Sequence, residues 1–297
     1  MSSRQILAVV NPRSGNRQAT QQLDQFKAAL LPKGYLVHTA VTEHPGHARE
    51  IAAAANVHEV HCICAVGGDG TIHEVVNGLM QLPQPQRIPL AVLAAGTGNA
   101  LALQFQLHSP ADTAQRIVAG RTQPLDVIHV TGPGLSTWCI NLVGWGAATA
   151  INVNAEKLRW LGKSRYSVAA LWEILGPSLR SAKVTLDGHT IAGPFLFIIA
   201  CNTMFVGHRM LLAPNARSDD GLLDVVILRA SSRWNLLQVF KRVADGSHLQ
   251  LPGVECHRAQ SLIIDSSTID PLNLDGEICG QTPFSATVLP GALQVIA

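Results

Sequence analysis

The stretch Cys62-Ile63-Cys64-Ala65-Val66-Gly67-Gly68-Asp69-Gly70-Thr71-Ile72-His73-Glu74 joins a short apolar run to glycines set around one aspartate. Gly67, Gly68 and Gly70 carry no side chain, so a bulky anion can approach the backbone and consecutive N–H groups can turn toward it. Thr71-x-x-Glu74 has the spacing of a capping box, and Ile72, Val75, Val76 and Leu79 share one helical face. A strand, a glycine loop and a helix N-terminus in that order make a phosphate site. Without a ligand, the same pattern is a tight turn.

Two carboxylate clusters lie far downstream. In Ala213-Pro214-Asn215-Ala216-Arg217-Ser218-Asp219-Asp220-Gly221-Leu222-Leu223-Asp224 the three aspartates repel one another unless a cation or hydrogen-bond donors neutralise them, and a hard Mg²⁺ suits such a loop. In Asn273-Leu274-Asp275-Gly276-Glu277 the two carboxylates alternate, so in extended chain they point the same way. One carboxylate then receives a proton from a hydroxyl while the other orients it. An Asp-Gly hairpin with an outward Glu fits the same residues, and spacing alone does not choose.

Other chemistries find little support. Gly162-Lys163-Ser164 resembles the end of a P-loop, but Lys157 stands where its first glycine belongs. Neither Gly68-x-Gly70 nor Gly96-x-Gly98 completes a dinucleotide fingerprint, since His73 and Leu101 replace the third glycine. His44-x-x-His47 flanks a Pro-Gly turn and reads as a surface pair, and no Gly-x-Ser-x-Gly elbow occurs. Lys157, Arg159, Lys163 and Arg165, interleaved with Trp160 and Tyr166, read either as a solvated helix end or as a face for anionic head groups.

The elements that hold these residues follow from the apolar pattern. The chain has 297 residues, enough for two ordinary domains. Strands are expected at Ile6–Val10, Tyr35–Val41, around Cys62–Val66 and at Ile88–Leu93, with helices from Ala19 to Leu31, from Ala48 to Ala55, after Thr71 and from Ala100. Such alternation predicts a parallel sheet flanked by helices, with ligands beyond the carboxyl ends of the strands. Asn11–Gly15, Gly67–Thr71 and Gly96–Asn99 all fall there.

Past Leu125 the rhythm becomes short apolar segments, at Val127–Val130, Trp138–Val143, Lys183–Leu186, Phe195–Cys201, Leu223–Leu228, Leu262–Asp265 and Phe284–Leu289. These predict a β-rich second domain, interrupted by helices near Ser164–Leu175 and Arg233–Asp245. The expected domains are 1–125 and 126–297.

Composition narrows the partners. Net charge is +2 without a basic block, which gives no case for nucleic acid. Hydrophobic residues make up 47% and charged residues only 14%, a balance compatible with a lipid-facing surface. No apolar run nears the ~20 residues of a membrane span, so any lipid contact is expected to be peripheral. Six scattered cysteines and a start without a signal pattern predict a cytoplasmic protein with reduced thiols. Cys62 and Cys64 are expected to face one side of their strand.

Taken together, Asn11-Pro12-Arg13-Ser14-Gly15, Gly67–Leu79, Gly96-Thr97-Gly98-Asn99-Ala100-Leu101-Ala102, Ala213–Asp224 and Asn273–Glu277 resemble, in order, the motifs of the diacylglycerol/sphingosine/ceramide lipid kinases. Length and layout are similar to the soluble bacterial lipid kinases. Gly-Gly-Asp-Gly-Thr alone is shared with NAD kinases and phosphofructokinases; the combination is specific.

The resemblance implies an N-terminal α/β nucleotide domain, a C-terminal all-β sandwich-like domain with short helical insertions, and transfer of the ATP γ-phosphoryl group to a lipid hydroxyl at a membrane surface. It implies a nucleotide site made by Asn11, Thr42, Gly67, Gly68, Asp69, Gly70, Thr71, Glu74 and Thr97. It also implies a structural Mg²⁺ on Asp220 and the carbonyls of Arg217 and Leu222, and a proton acceptor in Asp275–Glu277 with Glu277 first choice. Asp69 is the other candidate catalytic carboxylate. Ala100, where bacterial members usually have Asp, resembles the sphingosine and ceramide branch. The sequence does not choose among diacylglycerol, sphingoid bases, ceramide and phosphatidylglycerol, nor fix an oligomeric state. Rival readings are an NAD kinase–like enzyme and a catalytically silent nucleotide-binding regulator.

Overall fold

A computed structural model describes residues 4–14, 18–84, 86–96, 98–157, 169, 173, 176, 178–207 and 210–297. The chain divides into two compact units. The first comprises Met1–Val127, Gly207–Arg209 and Pro290–Ala297; the second comprises Ile128–Val206 and Met210–Leu289.

The first unit is the expected α/β domain. Strands β1 (Gln5–Val10), β2 (Leu36–Val41), β3 (Val60–Gly67) and β4 (Leu90–Ala94) lie in the order β2-β1-β3-β4, all parallel. The end of the last strand of the chain runs parallel to β4 through Val295 and Leu90. Helices α1 (Gln18–Leu30), α2 (His47–Ala53), α3 (Asp69–Leu79), α4 (Ala100–Gln104) and α5 (Pro110–Val118) follow the strands. Alternation sorts the side chains: Ile6, Ala8, Val10, Cys62, Cys64 and Val66 share one core with Leu23, Phe26 and Leu30 of α1 and Ile117 of α5. Cys62 and Cys64 are therefore buried together in apolar packing, and burial pushes the Cys62 thiol up to about 12 and that of Cys64 well above the ordinary thiol range. They are core thiols. Helices α2 and α3 pack so closely that a Cβ at Gly78 would strike the Arg49 carbonyl.

The second unit is antiparallel. It begins with the end of β5 (Thr122–Gly132), then β6 (Leu135–Cys139), β7 (Leu142–Gly146), α6 (Ala147–Lys157), β8 (Arg180–Leu186) and β9 (His189–Cys201). The short pair β10 (Phe205–Val206) and β11 (Met210–Leu211) comes next, then β12 (Leu223–Arg229) and α7 (Arg233–Arg242). The remaining strands are β13 (Val254–Ala259), β14 (Ser261–Ser266), β15 (Pro271–Leu274), β16 (Glu277–Gln281) and β17 (Phe284–Ile296). Strand β9 pairs with β8 along its first half and with β7 and β12 along its second, so one long strand serves two layers. Trp145, Phe195, Ile198, Val225, Leu262 and Phe284 fill the core between them, with Trp145 and Phe195 fully buried. Each such side chain contributes ~1.5–3 kcal/mol relative to exposure. This is the sandwich-like domain that the resemblance implies.

Three local expectations change. The helix after the glycine cluster begins at Asp69 with Gly68 as its N-cap, so Thr71 and Glu74 lie inside it and form no capping box. The apolar run Trp138–Val143 is two strands, because the N–H groups of residues 140–142 turn to a side chain. Polar β13 escapes an apolar search altogether. Apart from Ala169 and Glu173, the helix expected at Ser164–Leu175 falls outside the described residues, as do the basic residues Arg159, Lys163 and Arg165 with Trp160 and Tyr166.

Candidate active site

In the first unit the strand ends converge on the glycine loop. A Cβ at Gly67 would strike the Thr71 side chain, and one at Gly96 would sit 2.5 Å from the Cα of Gly68. A Cβ at Gly98 would strike the Asp69 carboxylate. The two glycine loops interlock, and only residues without side chains permit that approach. Gly68 is extended and no side chain caps α3, so the positive end of the helix dipole faces the glycine loop without a side-chain anion on it.

The polar residues around this turn brace it. Asp69 Oδ2 accepts the Asn99 N–H at 2.9 Å and Oδ1 accepts the Ala100 N–H at 3.0 Å, which fixes the second loop at the start of α4. Asn99 has a left-handed backbone, φ 57°, and closes its own loop through Gly96 at 2.9 and 3.0 Å. Glu74 accepts the N–H groups of Gly46 and Ala48 at 2.9 and 3.2 Å, capping α2. Both oxygens of this residue, expected in the nucleotide site, serve a neighbouring helix. Asn11 donates through Nδ2 to Thr71 Oγ1 at 3.2 Å, and Thr42 donates its N–H to Val10 at the end of β1. Thr97 lies outside the described residues.

In the second unit Asp275 and Glu277 do not point the same way. Asp275 takes a left-handed φ of 55° and Gly276 of 101°, making the two-residue hairpin turn between β15 and β16. The reversal buries Asp275 and leaves Glu277 exposed. Asp275 accepts three consecutive backbone N–H groups: Asn141 at 2.8 Å, Leu142 at 3.0 Å and Ile140 at 3.0 Å. Such a nest suits an anion, and here the anion is a side chain of the protein. Asn202 tightens the same loop, donating to the Ile140 carbonyl at 2.8 Å. Nothing in the spacing of Asn141 or Asn202 marked them beforehand. Glu277 has no such brace.

The acidic loop carries its own cations. Asp219 pairs with Arg217 at 3.2 Å. Asp220 accepts the Leu222 N–H at 3.1 Å through one oxygen and is held by Arg258 through the other. The Arg258 Nε also lies 3.9 Å from Asp224, its partner across the β12–β13 ladder. Burial pushes the Asp224 carboxyl above its ordinary range, and Arg258 offsets this only partly. The implied Mg²⁺ set of Arg217, Asp220 and Leu222 therefore does not fit as it stands: both oxygens of Asp220 are engaged, and the guanidinium supplies the charge a metal would bring. Arg258 was illegible without the strand register.

Two family models cover the chain. The diacylglycerol kinase catalytic domain matches residues 5–130, and the YegS C-terminal NAD kinase beta sandwich-like domain matches residues 141–297. A diacylglycerol kinase of Mycobacterium tuberculosis is 30% identical, covering 98% of this chain and 94% of the relative. The crystal structure of a diacylglycerol kinase from Bacillus anthracis superposes with a TM-score of 0.72 at 22% identity, covering 100% of this chain and 97% of that one. An NAD kinase from Archaeoglobus fulgidus, solved in complex with ATP, shares the fold with a TM-score of 0.53 at 11% identity, covering 98% and 93%.

Proposed function

Since the chain belongs to the diacylglycerol kinase family of lipid kinases, we propose that it transfers the γ-phosphoryl group of ATP to a lipid hydroxyl, with diacylglycerol the first lipid to test. The observation that carries this reading is the uncapped start of α3 beneath two interlocked glycine loops. The N–H groups at the start of α3 receive the phosphates, with Asn11, Thr42 and Thr71 around them; Thr97 is assigned to the same nucleotide. A Mg²⁺ ion carried by the nucleotide would supply charge that offsets the transferring group.

Glu277 is the proton acceptor. Its carboxylate is exposed, whereas those of Asp69 and Asp275 are spent on backbone N–H groups. Asp69 and Asp275 are then positioning residues, the first aligning the two phosphate loops and the second setting the turn that presents Glu277. A lipid alcohol is a very weak acid, so the proton leaves late, as the bond to phosphorus forms. Little covalent chemistry is asked of the protein beyond alignment and charge.

The test is a transfer assay with γ-labelled ATP against diacylglycerol, sphingosine, ceramide and phosphatidylglycerol in detergent, and against NAD in buffer. Label is expected in the organic phase. Label in NAD, or none in any lipid despite ATP binding, overturns the reading.

A further inference from the structure

Helix α7, Arg233-Trp234-Asn235-Leu236-Leu237-Gln238-Val239-Phe240-Lys241-Arg242, projects large apolar side chains into solvent. Trp234 is 69% exposed and Phe240 is 40% exposed, values that a core helix does not show. At ~100° per residue, Phe240, Arg233, Leu237, Lys241 and Trp234 fall within one arc of roughly 120°. The opposite side is anchored. Val239 is buried with Leu196 and Leu228, and Leu236 packs against them. Ser232 caps the helix by accepting the Asn235 N–H at 3.2 Å, and Asn235 Nδ2 donates to Pro252 at 2.8 Å. The outward aromatics therefore sit on a fixed helix.

Charge selects the partner. Arg233, Lys241 and Arg242 are exposed, and the helix contains no acidic residue. An indole and a phenyl ring flanked by cations match the boundary between anionic head groups and acyl chains, where amphipathic rings settle and long basic side chains reach the phosphates. Among the described residues no helix is long and apolar enough to cross a membrane.

We propose that α7 docks the protein on an anionic lipid surface, Trp234 and Phe240 entering the head-group boundary while Arg233 and Lys241 contact lipid phosphates. The proposal rests on the lipid kinase reading for its purpose but not for its test. Docking brings the enzyme to acceptors it cannot draw from water, and it predicts interfacial activation.

The experiment is co-sedimentation of the full chain with vesicles of phosphatidylcholine alone and with about one-third phosphatidylglycerol. It compares the wild type with the variants W234A/F240A and R233Q/K241Q, whose changes are exposed and whose folding is checked by thermal melting. Wild type should bind the anionic vesicles. W234A/F240A should lower that binding at least tenfold. Each lost charge should cost about fivefold on anionic vesicles, with no effect on neutral ones. In detergent micelles, both variants should phosphorylate diacylglycerol like wild type. Unchanged vesicle binding by both variants overturns the docking, whatever the micelle assay gives. So does a W234A/F240A variant that binds vesicles normally but turns a sedimenting dimer into a monomer, which assigns the face to a second copy. Vesicle binding that is lost in the variants, from a wild type that phosphorylates no lipid, upholds the docking and sinks the kinase reading instead.

Discussion

Two Asp-Gly pairs, Asp69-Gly70 in the first unit and Asp275-Gly276 in the second, solve one problem with opposite backbones. Asp69 opens a right-handed helix and accepts N–H groups from Asn99 and Ala100. Asp275 sits left-handed in a hairpin and accepts N–H groups from Ile140, Asn141 and Leu142. Each ties its own turn to a neighbouring loop. The difference is what each turn leaves open: beside Asp69 the uncapped start of a helix, beside Asp275 an exposed carboxylate, Glu277. An aspartate in a glycine turn is therefore weak evidence for catalysis, because the backbone is often its partner. The groups left unspent beside it are the better candidates.

Substitutions separate the two braces. The largest effect is expected from Asp275→Ala, which orphans three buried N–H groups at ~1–3 kcal/mol each and so destabilises the second unit by at least about 3 kcal/mol. Urea unfolding measures it; a loss under 1 kcal/mol would mean that the loop finds other partners. Asp69→Asn keeps one acceptor oxygen and sets an NH₂ against the other donor. A loss of about 1–2 kcal/mol is expected, with weaker ATP binding by calorimetry and little change in the second unit. Wild-type ATP affinity would show that the glycine loops align without it.

The acidic loop offers a contrast to both braces, since Asp220 and Asp224 answer to a side-chain cation. Arg258 is half exposed, so Arg258→Met should cost only about 1 kcal/mol at neutral pH. Asp224 already has a raised carboxyl value, so it holds stability that is present below its unfolded value of ~4 and lost as the pH rises through its folded one. Without Arg258 the folded value climbs further. The deficit of the variant should therefore shrink toward pH 4. The same variant should also gain thermal stability from added Mg²⁺, whereas the wild type should not. A wild type that melts at higher temperature with Mg²⁺ would restore the metal to Asp220.

Much of this was legible in the sequence because it is local. Ile6–Val10 and Cys62–Val66 read as strands from apolar runs, and Gly67–Thr71 and Gly96–Asn99 as strand-end loops, since glycine and strand periodicity act within a few residues. The helix starts at Asp69, three residues before the start expected after Thr71, whose hydroxyl is instead claimed by Asn11, 60 positions away. Likewise Glu74 caps α2, Asp275 draws the Ile140–Leu142 loop out of its strand, and Arg258 meets Asp224 through ladder register. None of these partners is near in sequence, and a carboxylate looks the same whether its future partner is a phosphate, a proton or a backbone N–H. The sequence thus marked the right turns, and only tertiary pairing sorted brace from reactive group.

The most direct test is Glu277→Gln, assayed for transfer of label from γ-labelled ATP to diacylglycerol in detergent beside its melting curve and ATP affinity. Loss of a general base costs ~10²–10⁴ in rate. Turnover should therefore fall at least a hundredfold, while melting temperature and ATP binding stay at wild-type values because Glu277 is exposed and its carboxylate braces nothing among the described residues. Turnover within a few-fold of wild type would contradict the account and remove Glu277 from the chemistry.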